Sequence, residues 1–193
     1  CLPGPAIPQR TRVMEPSLGA AATSPRRRAH GILTGMEITD NGPQPNAFDI
    51  ETATVENENY RTVAWTGKYL QVTLMSIAPG ESIGLEVHPE TDQFLRIDAG
   101  QGRCVMGPAE DDLPFSQEVG DGWSIQVPAG TWHDVVNTGE EDLKVYAVYA
   151  PSHHAAGKVH ATFADAEADE EAGGDEPPSW TVQPGSGASD ETA

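Results

Sequence analysis

The middle of the chain alternates apolar and polar residues with a period of two, the pattern of half-buried β-strands. In residues 69–77, Leu70, Val72 and Leu74 alternate with polar neighbours, and Pro79-Gly80 ends the segment. Similar segments recur roughly every 8–12 residues without a helical period, which favours an all-β sandwich or barrel. The predicted strands are TVAWT, YLQVTLMSI, GLEVH, QFLRID, GRCVM, PFSQEV, WSIQV, HDVVN and LKVYAVY.

The two ends of the chain lack this alternation. Residues 1–35 are rich in Pro, Ala, Arg and Ser, and residues 164–193 hold nine acids and no base. Such composition cannot bury enough apolar surface to order a chain, so we expect a disordered basic extension and a disordered acidic tail. The predicted domain is residues 36–163, with a short helix as one interpretation of the polar lead-in after Phe48.

The net charge of the chain limits the kinds of partner that the protein can bind. Thirty acidic residues against 11 basic ones give a net charge of −19, which repels phosphate backbones and anionic membranes. Only three of the basic residues are Lys, a balance typical of proteins from salt-rich cytoplasm. The chain contains neither a long apolar run nor a signal-peptide pattern, so a cytoplasmic location is expected. Cys104, within a predicted strand, is interpreted as a small core residue.

Candidate chemistry lies in two segments, residues 80–100 and 122–137. Glu86 and His88 are two positions apart and share a strand face, and Gln93 shares its face with the aliphatic residues of the next strand. His133 begins a strand after a Pro-x-Gly turn. Two imidazoles, a carboxylate and an amide facing inward would be costly without a counter-charge. This set predicts one Mn, Fe, Zn, Ni or Co ion; alternatively, His133 only caps a turn and Glu86 is exposed.

These segments carry a resemblance to a known family. The spacing from Gly122 through Pro128, Gly130 and His133 to Asn137 resembles the second motif of the cupin superfamily without a departure. The first cupin motif also matches in spacing, but Glu stands for its first His and Gln for its Glu. Its positions here are Gly80, Glu86, His88, Gln93 and Gly100.

The resemblance covers residues 48–163 and implies a jelly-roll barrel, the double-stranded β-helix of cupins. The chain is similar to small single-domain cupins described as mannose-6-phosphate isomerase-like, which share EVHPxTDQFxR, VPAGTWHxVxN and HHxxGxxHxT. It implies metal ligation by Glu86, His88, Gln93 and His133. A homodimer is expected on the resemblance alone.

Several functions remain open. An isomerase acting on a sugar phosphate or related hydroxy-carbonyl compound would use Glu86 or Glu81 as a base, but the barrel offers few basic residues for a phosphate. A metal-dependent dioxygenase would have Tyr69, Tyr146 or Trp132 as pocket walls. A third hypothesis is a sensor that binds a small molecule without reaction, and a fourth is a barrel with an empty site.

A second group of histidines follows the last long predicted strand. His153, His154 and His160 have no strand pattern around them. They could bind zinc, or their segment could fold back across the mouth of the barrel.

Overall fold

The computed structural model describes residues 38–183, which form nine β-strands and two α-helices. In chain order the elements are α1 Ile50–Glu56, β1 Arg61–Thr66, β2 Gln71–Ile77, β3 Asp92–Ala99, β4 Gln101–Gly107, β5 Phe115–Gly120, β6 Ser124–Val127, β7 Trp132–Asn137, β8 Leu143–Ala150, β9 Val159–His160 and α2 Phe163–Glu171. The predictions for residues 1–35 and 184–193 lie outside the described part of the chain.

The strands form two antiparallel sheets. One sheet has six strands in the order β6-β3-β8-β2-β1-β9, and the other has three in the order β5-β4-β7. The chain crosses between the sheets four times, from β3 to β4, β5 to β6, β6 to β7 and β7 to β8, which is how a jelly roll closes its core. The all-β prediction is confirmed.

Side chains from both sheets fill one core. Leu95, Ile97 and Val145 of the large sheet are fully buried, as is Val135 of the small sheet. Cys104 packs among them and is also buried, which confirms its interpretation as a core residue. Burial of this apolar surface is the main favourable contribution to the fold.

The predicted strand GLEVH is not a continuous strand. Two isolated bridges, Ser82 with Val136 and Glu86 with His133, attach this segment to β7. Gly84 lies between them with φ +89°, a conformation that interrupts a β-ladder and that L side chains rarely adopt. The segment therefore lies along β7 without continuous pairing.

The helical interpretation of the lead-in is confirmed by α1.

The predicted disordered tail is wrong for residues 164–183. Residues 151–183, here called the C-terminal strap, contain β9 and α2 and return to the barrel. Thr162 caps α2 in a capping box with Asp165, and Phe163 packs edge-on against Tyr60 at 5.4 Å. Composition suggested disorder because the strap is acidic. Its acids instead find cationic partners, as in the pair between Glu170 and Arg61.

Among residues 38–183, neither helix has the length and apolar character needed to cross a membrane.

Candidate metal centre

A tight turn places His133 at the start of β7. Thr131 N donates to Pro128 O at 3.1 Å, and Gly130 adopts φ +76°. Gly130 N donates to His88 O at 2.8 Å, which ties the two sequence motifs together through the backbone. His133 follows the turn and is completely buried.

Backbone pairing brings the upstream motif to the same point. Glu86 N donates to His133 O at 3.0 Å, and His133 N donates to Glu86 O at 2.9 Å. Glu86 Oε1 lies 3.1 Å from His88 Nε2 and 3.3 Å from His133 Nε2. The potential ligand atoms of these three residues, here called the Glu86 triad, all lie within 4.8 Å of one another.

Hydrogen bonding indicates which nitrogen of His133 carries the proton. His133 Nδ1 lies 3.0 Å from Thr131 O, a carbonyl that can only accept, so Nδ1 is the donor. In a neutral imidazole, Nε2 is then a bare lone pair facing the Glu86 carboxylate. Nε2 is buried and makes no hydrogen bond among the described residues. Two lone pairs at 3.3 Å repel unless a proton or a metal cation lies between them.

The pKa values reflect the same coupling. Partial burial alone would raise the pKa of Glu86, but its close contacts with the imidazoles of His133 and His88 hold that pKa far below its usual range. Burial alone would lower the pKa of His133, but its interaction with Glu86 outweighs this and raises the pKa. Without another cation, the triad therefore favours a carboxylate paired with an imidazolium.

Gln93 has the inward position that the period-two pattern predicts. Its residue is 3% exposed, and neither side-chain Oε1 nor Nε2 has a hydrogen-bond partner among the described residues. Burying an amide in this way carries a desolvation penalty of about 1–3 kcal/mol. Gln93 pairs in register with Tyr149 of β8, whose ring meets His88 edge-on at 5.6 Å. The amide therefore lies in the neighbourhood of the triad.

The aromatic residue beside the triad is not one of those that the sequence analysis proposed as pocket walls. Tyr69 is 62% exposed, and Tyr146 packs against Phe94 at 6.2 Å, away from the triad. Trp132 precedes His133 on β7 and therefore points to the opposite face. Tyr149 is the tyrosine that contacts His88. The alternation of β8, with Leu143, Val145 and Ala147 buried, would have identified it, because Tyr149 continues that parity.

The three strap histidines have separate partners. The His153 ring packs against His88 with centroids 4.2 Å apart, and burial together with the nearby histidines lowers its pKa to about 3. His154 binds Asp175, with Nδ1 and Oδ2 at 2.8 Å, and His160 Nε2 lies 3.0 Å from Asp169 Oδ2. The geometry agrees with a segment that folds back over the mouth of the barrel, and the three do not form one zinc site.

Sequence reasoning missed a second buried charge cluster next to the strap. Arg61 Nη1 lies 3.1 Å from Asp175 Oδ2, 3.0 Å from Glu170 Oε1 and 2.7 Å from His154 Nδ1. These four residues are here called the Arg61 cluster. Burial and the Arg61 charge lower the pKa of His154 despite its bond to Asp175. Because Arg61 and Asp175 are 114 positions apart, no local pattern could reveal their contact.

Comparison with known proteins places this geometry in a family context. The model of the cupin domain family matches residues 73–149, which contain the whole Glu86 triad. The uncharacterized protein YrkC of Bacillus subtilis (strain 168) is 53% identical over 134 residues, covering 69% of this chain and 72% of that protein. The uncharacterized protein L612 of Acanthamoeba polyphaga mimivirus is 35% identical over 123 residues, covering 63% and 75%.

A solved structure agrees with the fold. The crystal structure of BH2720 from Bacillus halodurans shares 53% sequence identity with a TM-score of 0.67, and the match covers 68% of this chain and 99% of that one. The similarity therefore extends over nearly the whole of a protein that has been crystallised.

Proposed function

Because the chain belongs to the cupin superfamily, we propose that its barrel binds one divalent transition-metal ion and, through it, a small oxygenated molecule. Glu86, His88 and His133 are the proposed ligands, with the Gln93 amide oxygen as a fourth donor. The observation that carries the proposal is His133 Nε2, a buried ring nitrogen that lies 3.3 Å from the Glu86 carboxylate and has no hydrogen bond among the described residues. A metal ion there would satisfy it, and the unpartnered amide of Gln93 supports the same conclusion.

The donor set limits the choice of metal. Two imidazoles with carboxylate and amide oxygens suit Mn, Fe, Co, Ni or Zn better than Ca or Mg. Four protein donors would leave positions for a small chelating molecule at a metal that accepts five or six ligands. When bound, the metal would act as a Lewis acid that polarises a carbonyl or hydroxyl oxygen.

The chemistry of the surroundings favours an unphosphorylated hydroxy-carbonyl compound over a sugar phosphate. A phosphate needs Arg or Lys partners, and the buried Arg61 is already engaged by Glu170, Asp175 and His154. From the mannose-6-phosphate isomerase-like resemblance, the proposal therefore keeps the metal and the carbonyl chemistry. It does not keep a phosphate group on the ligand.

A second candidate function is binding without reaction, as in a sensor. Glu86, the predicted base, is held by both triad histidines and would be a metal ligand, so it is poorly placed to move a proton. The dioxygenase hypothesis has less support, because the aromatic residues expected to form its pocket lie away from the triad.

Metal analysis of the purified protein tests the proposal. We expect about one transition-metal ion per chain and removal of that ion by a chelator. Absence of bound metal after exposure to Mn, Fe, Co, Ni and Zn salts would contradict it. Turnover of hydroxyacetone or glyceraldehyde by the reloaded protein, with the chelated protein as control, would separate an enzyme from a sensor.

The proposal also covers the cellular location, the oligomeric state and the partners of the protein. We infer a cytoplasmic protein with a small-molecule ligand that forms a homodimer, as the resemblance to cupins implies. We also infer that it has no nucleic-acid or membrane partner, because the net charge of −19 repels anionic polymers and surfaces. Sedimentation of the purified protein measures the oligomeric state directly.

A further inference from the structure

The C-terminal strap brings one side chain against the Glu86 triad. The His153 ring lies with its centroid 4.2 Å from that of His88 and stacks on Tyr149 at 5.6 Å with an interplanar angle of 16°. Tyr149 in turn meets His88 edge-on. The three rings therefore form a continuous wall beside the proposed metal ligands.

The backbone that carries His153 is firmly held. Gln71, which is completely buried, accepts through Oε1 from His153 N at 3.2 Å and from His154 N at 2.8 Å. Its Nε2 donates to His154 O at 2.8 Å. Three hydrogen bonds to one buried side chain fix the main chain at this position, so the direction in which the His153 ring leaves it is also restricted.

The neighbouring residue adds a second anchor. His154 and Asp175 are 4% and 1% exposed at their side chains, and Asp175 Oδ2 lies 2.8 Å from His154 Nδ1 and 3.1 Å from Arg61 Nη1. Asp175 Oδ1 also accepts from Ala155 N at 2.9 Å. The Arg61 cluster therefore fixes the strap at His154 and Ala155, immediately beside the residue that contacts the triad.

The imidazole of His153 itself is polar and uncommitted. Among residues 38–183 it makes ring contacts but forms no hydrogen bond, and its ring nitrogens are not among the fully enclosed atoms. It lines a cavity of about 290 Å³ together with His154, Glu170, Asp175 and Gln183. A fixed imidazole at the boundary between a cavity and a metal-binding triad is suited to contacting a bound molecule.

We propose that His153 is a ligand-contacting residue of this site, and that Arg61, His154 and Asp175 are positioning residues acting through it. The inference rests on the proposed metal function. Its ligand is a small molecule with two adjacent oxygen groups, such as a hydroxy acid or a hydroxy-carbonyl compound. One oxygen binds the metal, and another polar atom of the molecule hydrogen-bonds to His153.

The test uses the full chain loaded with Co²⁺, whose visible spectrum reports on the metal's ligands, and glycolate as the probe. We expect His153→Ala to bind cobalt with unchanged stoichiometry but to bind glycolate about fivefold more weakly, the effect of one hydrogen bond. His153→Gln, which retains a donor and an acceptor, should recover part of this loss. Reduced cobalt stoichiometry in His153→Ala, or unchanged glycolate affinity, would overturn the proposal.

A double-mutant cycle tests the positioning residues. Asp175→Asn should weaken glycolate binding in the wild-type background but have no further effect in His153→Ala, because it acts through His153. Glu171→Gln removes the same charge from an exposed position of the strap and should change nothing. Additive effects of Asp175→Asn and His153→Ala would refute the positioning role.

The two levels of the hypothesis fail differently. If the wild-type protein does not bind cobalt, the proposed function fails and this inference falls with it. If the wild-type protein binds cobalt and glycolate but His153→Ala binds glycolate with unchanged affinity, only the inference about His153 is overturned.

Discussion

The barrel contains two clusters built from the same kinds of side chain, and they differ in one respect. The Glu86 triad and the set His154, Glu170 and Asp175 each place three potential ligand atoms within 4.8 Å of one another. In the second set, the guanidinium of Arg61 lies among these atoms. The triad has no such side chain among the described residues.

This difference explains why similar ligand geometry need not mean similar function. The Arg61 cluster carries its own permanent cation, because arginine stays protonated at any physiological pH. The triad can balance its carboxylate only with a proton on an imidazole or with a cation from solution. Spacing of ligand atoms alone would nominate both clusters as metal sites, whereas charge distinguishes them.

The largest expected effect is on metal binding: a change in the triad should remove the metal, whereas a change in the Arg61 cluster should not. His133→Ala deletes one of the two proposed nitrogen ligands and should lower metal affinity by more than about 100-fold, since even changes to residues that only support the ligands cost 10–100-fold. His88→Ala should act similarly. Asp175→Asn, in the other cluster, should retain full metal content by elemental analysis. Equal metal loss in Asp175→Asn and His133→Ala would abolish the distinction.

Removing the internal cation should strongly destabilise the second cluster. Arg61→Met leaves the buried Asp175 carboxylate without its cation, a change that typically costs about 3–5 kcal/mol. Urea unfolding measures this cost, with Arg103→Met on the exposed face of β4 as a matched control. A loss below about 1 kcal/mol would show that the cluster does not depend on Arg61.

The triad should show a pH dependence that metal removes. In the metal-free protein the pKa of His133 is raised, so its paired, protonated form stabilises the fold fully below the ordinary pKa of 6.5. This contribution is lost as the pH rises through the higher folded pKa. Thermal unfolding of the metal-free protein should therefore move to lower temperature as the pH rises above the ordinary pKa of 6.5.

The metal-bound protein provides the contrast. With Zn²⁺ bound, a metal replaces the proton, and the same rise in pH should not reduce the unfolding temperature. Identical pH profiles with and without Zn²⁺ would contradict the prediction.

The smallest expected effect concerns Gln93 and has opposite signs in the two states. Gln93→Leu removes a buried amide that lacks hydrogen bonds among residues 38–183 and should stabilise the metal-free protein by about 1–2 kcal/mol. The same change deletes a proposed oxygen donor and should weaken metal binding about tenfold. Urea unfolding and metal titration measure the two quantities. Destabilisation of the metal-free protein would indicate that the amide has a structural partner.

Sequence periodicity could predict the features that depend on strand parity. The alternation in β3 correctly placed Gln93, Leu95 and Ile97 in the interior. The spacing of Glu86 and His88 placed them side by side even though Gly84 interrupts the expected strand. The ligand roles assigned to these residues remain predictions.

Features that depend on distant contacts could not be predicted in this way. Asp175 lies in an acidic stretch whose composition indicates disorder, and only its contact with Arg61 on β1 shows that it is a buried structural residue. The contact of His153 with His88 has the same origin. Both contacts depend on a reversal of the chain direction after β8, which no local sequence pattern predicts.

The position of the strap in the chain gives the site an order of assembly. Residues 151–183 leave the ribosome after every strand of the two sheets except β9, so those strands emerge before the segment that covers the Glu86 triad. If the triad binds metal as proposed, the ion would be able to enter before Arg61 pairs with Asp175 and holds the strap in place.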